Sequence, residues 1–218
     1  MQTVPAAGAN IITNINVLGP DSRSVEFVLE NSTLPIANEF RRILLAEIPT
    51  IAIEFVNVEI NTSYLNDEYI ANRLGAMPLL NINPAEEGLF EFVLDVSAGP
   101  VETDVVNFDL QSKNPNIYHV GQYAGVPGQP ASYDMSKQIV IGKLHPNQQL
   151  KLRCLTQKGI GKTHSKFSPI SKLSFREDRP VKPTKFTFTI DLTGTAQIET
   201  LLNAALQILQ TRLANFKM

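Results

Sequence analysis

Cysteine and histidine are scarce in this sequence, which holds one cysteine and three histidines among 218 residues. Cys154 cannot form an intrachain disulfide, and histidines scattered along the chain cannot complete a tetrahedral zinc site with it. A small residue buried inside a strand is the simplest interpretation of this cysteine. The sequence thus excludes a disulfide scaffold, and it predicts a protein without a metal or any other cofactor.

Long hydrophobic runs are missing as well. No apolar run is long enough to span a bilayer, and the first 14 residues lack the basic start and the apolar stretch of a secretory signal. Apolar side chains still make up 43% of the chain and charged ones 18%, a composition that can form a core. We therefore expect a soluble, intracellular protein of one domain or two small ones, with no membrane partner.

Known catalytic patterns are also absent. The sequence has no serine nucleophile elbow, no HExxH pair and no EF-hand loop. Residues 159–163 (GIGKT) resemble the end of a phosphate-binding loop, but Thr156 stands where that pattern requires its first glycine. The residues that follow, up to Pro169, are poor helix formers, whereas a phosphate-binding loop opens a helix. We expect a tight basic loop that contacts a partner, and no catalytic activity of the chain itself.

The net charge of −2 conceals an uneven distribution. Residues 1–136 hold 5 basic and 17 acidic side chains, whereas residues 137–185 hold 12 basic and 2 acidic ones. A basic stretch within an acidic chain suggests an anionic partner, either nucleic acid or an acidic protein face. The alternative is a solvated strand face, because the basic residues are spread through predicted strands and are not gathered in one run.

Hydrophobic periodicity predicts an α+β fold. Alternating apolar and polar residues predict strands over 24–30, 51–63, 89–96, 137–144, 149–156 and 185–194. Apolar residues at helical spacing predict helices over 34–48, 64–75 and 195–217. Residues 97–136 show only weak patterns and are expected to form a loose surface excursion. Because strands and helices do not alternate regularly, the order excludes a βαβ architecture.

The helix over 34–48 carries two adjacent arginines, Arg41 and Arg42. Neighbours on a helix diverge by about 100°, so one arginine can flank the buried face while the other projects outward. Arginine is common at interfaces because its planar group pairs with carboxylates in a bidentate manner. The alternative is two solvated arginines. Apolar residues of the same helix define its buried face: Ile36, Phe40, Ile43, Leu44 and Ile48.

The C-terminal helix is apolar over an unusually wide part of its circumference. A helix of this kind is buried from more than one side, which predicts a partner subunit in addition to the chain's own sheet. Leu206 and Ile208 widen the main stripe. That stripe consists of Ile198, Leu201, Leu202, Ala205, Leu209, Leu213 and Phe216.

Three segments resemble one family, and the resemblance covers most of residues 24–218. They read LPIANEFRRILLAEIPTIAIEFVNVEINTS (34–63), LNDEYIANRLGAMPL (65–79) and LKLRCLTQKGIGKTHSKFSP (150–169). These segments are similar to the third-largest subunit of eukaryotic RNA polymerase II and to the corresponding subunit of archaeal RNA polymerase. They resemble the N-terminal domain of the bacterial alpha subunit more distantly.

The resemblance implies a non-catalytic assembly subunit of a multisubunit DNA-directed RNA polymerase. Members of the family pair with a smaller subunit of related fold, and the pair anchors the largest and second-largest subunits. Small zinc-containing polymerase subunits are further implied partners, and no sequence-specific contact with nucleic acid is expected. The implied location is the nucleus in a eukaryote, and the cytoplasm for an archaeal or viral protein.

The resemblance also implies domains and interfaces. A discontinuous dimerisation domain would comprise residues 1–51 and 171–218, with an inserted, mostly β domain over 52–170. The large-subunit interface would be formed by Arg41, Arg42, Lys158, Gly159, Gly161, Lys162 and His164. The heterodimer interface would be formed by Phe40, Leu44, Ile198, Leu201, Leu202, Ala205, Leu209, Leu213 and Phe216.

Two features depart from the family pattern. Many members bind zinc, or an iron–sulfur cluster in some archaeal forms, through cysteines of the inserted domain. Residues 95–113 occupy that region here and contain no cysteine, so the implied metal is lost. The chain also ends with its helix, whereas many eukaryotic relatives carry a further tail, which leaves cellular, archaeal-like and viral versions open.

The rival hypothesis is a nucleic-acid-binding module that uses the basic stretch over 137–185. Aromatic side chains interleaved with basic ones can stack on bases. The alternating strand pattern of residues 185–194 would equally suit core residues. The stacking candidates are Phe167, Phe175, Phe186 and Phe188.

Overall fold

The computed structural model of the protein describes residues 11–18, 23–81, 88–119, 122–123, 132–133, 138–178 and 184–215. They form two compact units. Unit 1 contains the described residues up to Ile48 and from Ile160 onward, and unit 2 consists of residues 49–159. Both units combine helices and strands, which confirms the predicted α+β class.

In chain order, the strands are β1 (Ile11–Leu18), β2 (Ser24–Glu30), β3 (Pro49–Asn61), β4 (Leu79–Asn81), β5 (Glu91–Ser97), β6 (Thr103–Val106), β7 (Gln111–Ser112), β8 (Ile117–His119), β9 (Gln122–Tyr123), β10 (Ser132–Tyr133), β11 (Val140–Leu144), β12 (Gln149–Ile160), β13 (Ile170–Glu177) and β14 (Phe186–Leu192). The helices are α1 (Leu34–Ala46), α2 (Asp67–Gly75) and α3 (Ile198–Asn215).

Unit 1 is a four-stranded antiparallel sheet with strand order β1-β2-β14-β13, against which α1 and α3 pack. The alternation in β2 and β14 places one face of each strand in the core. Three rings meet at the centre of that core: Phe27 stacks on Phe188 with centroids 5.1 Å apart, and Phe40 of α1 meets both rings edge-on. Helix α1 is thereby fixed to the sheet by aromatic packing.

The ends of the helices differ slightly from the predicted ones. α1 begins after Thr33 with Pro35 in its first turn, as the sequence predicts. It ends at Ala46 and not at residue 48, and the Glu47 backbone N–H donates to the Ile43 carbonyl over 3.0 Å. α3 begins at Ile198 and not at residue 195, since Thr195 lies buried before the helix.

Unit 2 contains a four-stranded sheet with strand order β3-β12-β5-β7, the two-stranded pairs β4–β8, β6–β11 and β9–β10, and helix α2. Part of the predicted loose excursion is ordered, because β6, β7 and β8 lie within residues 97–136. Asn107 fixes this segment: it is fully buried, and its Oδ1 accepts from the Ile139 N–H over 2.8 Å. Strands of two to four residues are too short to show periodicity in the sequence.

The boundaries of the units fall at Ile48/Pro49 and Gly159/Ile160, whereas the predicted domains change at 51/52 and 170/171. Residues 160–170 group with unit 1 because Lys162 and Ser168 hydrogen-bond to α1 and because Ile170 begins β13. The assignment of the units to a dimerisation domain and an inserted domain stays a prediction. No helix in the described residues is both long and apolar enough to cross a membrane.

Candidate functional site

Arg41 and Arg42 leave α1 in different environments. Arg41 is half-buried, and its Nε and Nη2 donate to Asn38 Oδ1 over 3.1 and 3.0 Å. Arg42 is exposed, and within the described part of the chain it makes no ion pair. This arrangement agrees with the expectation that one arginine flanks the buried face while the other projects outward. Arg42 is therefore a solvent-exposed cation that a partner can reach.

The segment after β12 closes the C-terminal end of α1. The Lys162 backbone N–H donates to the Ala46 carbonyl over 2.8 Å, and the Ser168 hydroxyl donates to the Leu45 carbonyl over 2.9 Å. The last carbonyls of a helix have no partner within the helix, so these two donors satisfy them. Gly161 permits the approach, because a Cβ there would lie 2.6 Å from the Leu45 carbonyl oxygen. The glycine and the helix end thus form one rigid corner of unit 1.

This corner carries exposed cationic and polar side chains next to the arginine-bearing end of α1. Lys162 and His164 are exposed, and His164 Nδ1 accepts the Lys166 backbone N–H over 3.1 Å. Because Lys162 is bonded to Ala46, one helical turn beyond Arg42, these residues share one end of α1. We call Arg41, Arg42, Lys162 and His164 the cationic corner.

The remaining predicted large-subunit contacts are Lys158 and Gly159. Both lie near the end of β12, where Lys158 is exposed and Gly159 is half-buried. They belong to unit 2, so their participation in the same surface stays a prediction. β12 is followed by a turn and a single 3-10 turn at Ser165–Phe167. No helix opens at Gly161, which agrees with the expectation that this is not a phosphate-binding loop.

Most of the predicted heterodimer residues pack inside unit 1. Their relative exposures lie between 0 and 4%, so in this chain they contact its own core. The residues in question are Phe40, Leu44, Leu201, Leu202, Ala205 and Leu209. Their role in a heterodimer interface stays a prediction. Because these side chains are buried, they would affect such an interface by holding α1 and α3 in place.

The rim of α3 is more accessible. Ile198, Leu206 and Ile208 are partly buried, and Leu213 is 46% exposed. Phe216 lies outside the described residues. Of the predicted interface residues, Ile198 and Leu213 are therefore the ones that a partner can touch directly.

Arg212 links α3 to α1, and sequence reasoning missed it. Its Nη1 donates to Glu39 Oε1 and its Nη2 to Glu47 Oε2. These bonds raise the pKa of Arg212, mainly through Glu47 and then Glu39. The two glutamates are eight residues apart on α1, and that spacing is the signal in the sequence that two carboxylates share one side of the helix.

Three of the four stacking residues of the rival hypothesis are buried, and the fourth is partly buried. Phe186 and Phe188 have no exposure, Phe167 is 4% exposed, and Phe175 packs against the core of unit 1. The prediction that bases stack on Phe186 and Phe188 is therefore wrong, because both rings are fully buried and Phe175 packs against both of them.

Much of the basic charge is also paired. Lys172 pairs with Asp191, Arg176 with Glu26 and Lys185 with Glu30 on the outer face of the unit 1 sheet. In unit 2, Lys143, Lys151 and Arg153 likewise pair with carboxylates. Pairing leaves less uncompensated positive charge for a phosphate backbone than the composition suggests. These ion pairs favour the interpretation that the basic residues of 137–185 belong to solvated strand faces.

Cys154 lies on β12 with no exposure, and burial raises the pKa of its thiol to about 12. It is thus a core residue, as the sequence predicts. The described ranges contain no group of three or more histidine, cysteine, aspartate or glutamate side chains that could hold a metal ion. The absence of bound zinc stays a prediction.

Comparison with known proteins identifies the family. A family model described as the RNA polymerase Rpb3/Rpb11 dimerisation domain matches residues 26–213. Subunit RPAC1 of DNA-directed RNA polymerases I and III from Bos taurus is 36% identical over 188 residues, covering 74% of this chain and 53% of its own. Subunit RPB3 of DNA-directed RNA polymerase II from Schizosaccharomyces pombe is 35% identical over 188 residues, covering 76% of this chain and 60% of its own.

A plant relative is similar to the same extent. Subunit 3 of DNA-directed RNA polymerases II, IV and V from Arabidopsis thaliana is 34% identical over 168 residues, covering 69% of this chain and 52% of its own. The chain spans about half to three fifths of the length of these relatives. It belongs to the RNA polymerase Rpb3/Rpb11 dimerisation-domain family.

Proposed function

We propose that the protein is a non-catalytic assembly subunit of a multisubunit DNA-directed RNA polymerase. The observation that carries the proposal is the family match over residues 26–213, which includes both parts of unit 1. The relatives are named as subunits of such polymerases. The full burial of Phe186 and Phe188, against which the partly buried Phe175 packs, removes the main support for the rival nucleic-acid-binding function.

Two surfaces of unit 1 differ in chemistry, which suits them to different partner subunits. The cationic corner is polar and charged, which suits acidic or carbonyl groups on the second-largest or largest subunit. The rim of α3 with Ile198 and Leu213 is apolar, which suits the helices of a smaller related subunit. Small zinc-containing subunits would join the same assembly. The named relatives come from eukaryotes, and we accordingly propose action in the nucleus.

The cationic corner is tested by Arg41→Ala and Arg42→Ala in the tagged chain, co-expressed with the subunits that co-purify with the wild type. Truncating one member of a desolvated charge pair costs roughly 2–5 kcal/mol. We therefore expect capture of the second-largest subunit to weaken by about 30-fold or more, while the smaller partner is retained. Arg153→Ala in unit 2 is the control. Wild-type capture by both variants would show that these arginines are ordinary surface residues.

The rim of α3 is tested by Leu213→Asp, with Thr211→Asp as the control on an exposed position of the same helix. A carboxylate buried in an apolar contact is costly, so Leu213→Asp should lose the smaller partner and Thr211→Asp should keep it. Leu209 is unsuitable for this purpose: it is 4% exposed within unit 1, and a charge there would unfold the unit. Retention of the smaller partner by Leu213→Asp would contradict the proposed interface.

A further inference from the structure

Unit 2 carries a surface cleft of about 370 Å³ between α2 and β11. Gly142 and Leu65 line it and pack closely, since a Cβ at Gly142 would lie 2.7 Å from Leu65 Cδ1. Tyr64 and Tyr69 line it as well. We call this feature the Tyr64 cleft.

The loop that presents Tyr64 is held by a network of hydrogen bonds around Asn61. Asn61 Oδ1 accepts from the Ser63 N–H over 3.0 Å and from the Ser63 hydroxyl over 2.6 Å. Asn61 Nδ2 donates to the Leu65 carbonyl over 2.9 Å and to Asp67 Oδ1 over 2.6 Å. The loop is thus fixed, yet Tyr64 is 81% exposed. The backbone that carries this exposed ring is therefore ordered before any ligand binds, which lowers the entropic cost of binding.

An arginine and a second tyrosine stand on the neighbouring helix. Tyr69 is 50% exposed, and the Arg73 guanidinium carbon lies 5.8 Å from the centre of its ring. Arg73 Nη2 donates to the Val140 carbonyl, which fixes the guanidinium at the cleft. On the other side, His145 meets Tyr64 edge-on with centroids 5.2 Å apart. Tyrosine and arginine are the residue types enriched at binding hot spots.

The charged residues of the cleft indicate which kind of ligand it can bind. Lys143 pairs with Asp104 over 3.3 Å and with Glu102 over 3.6 Å, and the hydrogen bond to Asp104 is the main cause of its raised pKa. Among the described residues no carboxylate pairs with Arg73. A guanidinium has five N–H donors, and hydrogen bonds to Val140 and Tyr69 leave several free. The cleft thus offers one uncompensated cation beside exposed aromatic rings.

Unit 2 as a whole is acidic, since residues 49–159 hold 12 acidic and 7 basic side chains. A continuous phosphate backbone would be repelled by this excess, whereas a single carboxylate beside apolar groups would not. We propose that the Tyr64 cleft binds an extended segment of a protein partner that carries a single carboxylate. The carboxylate of that segment pairs with Arg73, and a neighbouring aliphatic side chain lies against Tyr64. This proposal does not depend on the proposed function.

The test is selection of a phage-displayed library of short random peptides against the full-length chain. We expect enriched peptides with an aspartate or glutamate next to an aliphatic residue. Fluorescence anisotropy of these peptides should show that Arg73→Met and Tyr64→Ser each weaken binding about tenfold or more. Replacing the aspartate or glutamate of the peptide by asparagine or glutamine should weaken its binding to a similar extent. Tyr64→Ser removes a side chain that is 81% exposed, so circular dichroism should show a folded protein.

Phe55→Ser is the matched control, because Phe55 is 58% exposed in unit 2 and does not line the cleft. It should leave peptide affinity unchanged. Failure to enrich any peptide would overturn the proposal, as would enriched peptides that lack an acid or bind both cleft variants like the wild type. Binding of labelled oligouridylate that is lost with Tyr64→Ser would assign the cleft to nucleic acid. The subunit-capture experiments on unit 1 do not bear on these outcomes.

Discussion

At the scale of single residues, Gly161 lies so close to the end of α1 that its position leaves no room for a Cβ. A Cβ there would lie 2.6 Å from the Leu45 carbonyl oxygen and 3.1 Å from Ala46 Cα. Both neighbours belong to the backbone at the end of α1, so neither can rotate away. The sequence shows Gly161 as part of a GIGKT segment, but it does not show that the glycine is needed for packing against a helix.

Gly161→Ala should therefore lower the stability of unit 1. Overpacking a tight contact costs typically about 1–3 kcal/mol, which urea denaturation of the full chain can measure. Gly99→Ala is the matched control, since nothing lies within 4 Å of a Cβ at that position. Gly99→Ala should change the free energy of unfolding by no more than about 0.5 kcal/mol. Equal stability of the two variants would mean that the corner is not rigid.

The buried thiol of Cys154 gives a prediction of pH dependence. Burial raises its pKa from the ordinary 9.0 to about 12, so the folded state favours the neutral thiol. Its contribution to stability is fully present below pH 9.0 and is lost as the pH rises toward about 12. In that window the free energy of unfolding should fall by about 1.4 kcal/mol per pH unit more than in Cys154→Ala.

Thiol reactivity provides a second measurement on the same residue. At pH 8 an aromatic disulfide reagent should not modify Cys154 in the folded chain, and it should react fully in denaturant, because the thiolate is the reacting species. Fast reaction of the folded protein would show that the strand is accessible.

At the scale of elements, α1 and α3 contact each other through apolar side chains and through the ion pairs of Arg212. We call these ion pairs the clamp. Arg212 reaches both Glu39, on α1, and Glu47, the residue that follows the last turn of α1. The clamp lies next to the exposed Leu213, so it holds the rim that the smaller partner would contact. Such a clamp fixes orientation more than it adds stability, because exposed ion pairs contribute little.

Arg212→Met should accordingly weaken capture of the smaller partner while leaving the chain folded. Low salt should enlarge the difference from wild type and high salt should reduce it, because salt screens exposed charges. A double-mutant cycle with Glu47→Gln measures the coupling, and Lys172→Met on β13 is the control for losing a partly paired surface cation. Additive effects of Arg212→Met and Glu47→Gln would show that the two residues do not act together.

The elements also show how far the sequence predicts the fold. β2, β14 and α1 are predicted to within about two residues, because their apolar faces are buried on one side and solvated on the other. β1 and β13 are not predicted. Both are edge strands: Ile15 and Val17 of β1 stay exposed, and Ile170 is the single fully buried residue of β13. Edge strands lack the regular burial that produces a readable alternation.

The candidate site was predictable only in part, for a similar reason. Arg41 and Arg42 stand out within an apolar helix, and the sequence predicts their interface role without the structure. Residues that meet through tertiary packing leave a weaker signal: Arg212 with Glu47, or Arg73 with Val140, are far apart in the chain. The predicted heterodimer residues of α3 are apolar, but periodicity cannot distinguish the chain's own core from a partner's.

At the scale of the whole molecule, unit 2 lies in the sequence between the two parts of unit 1. β3 begins the unit and β12 ends it, and these two strands are neighbours in one sheet. The Thr62 N–H donates to the Gln149 carbonyl over 3.0 Å, so the end of β3 meets the start of β12. The two strands therefore run antiparallel, and the chain enters and leaves unit 2 at one place.

This topology predicts that unit 2 can fold without unit 1. Its core contains residues of unit 2 alone, including Phe92, Leu94, Leu152 and Cys154. Residues 49–160 expressed alone should therefore fold cooperatively as a monomer, with dispersed amide resonances and a sigmoidal urea transition. The complementary chain, in which a short glycine–serine linker replaces residues 49–159, should keep the packing of Phe27, Phe40 and Phe188 and the capture of the smaller partner. If neither piece folds, the two units form one cooperative domain and the predicted division into a dimerisation domain and an inserted domain is wrong. If only the complementary chain loses the smaller partner while remaining folded, unit 2 contributes directly to the heterodimer contact.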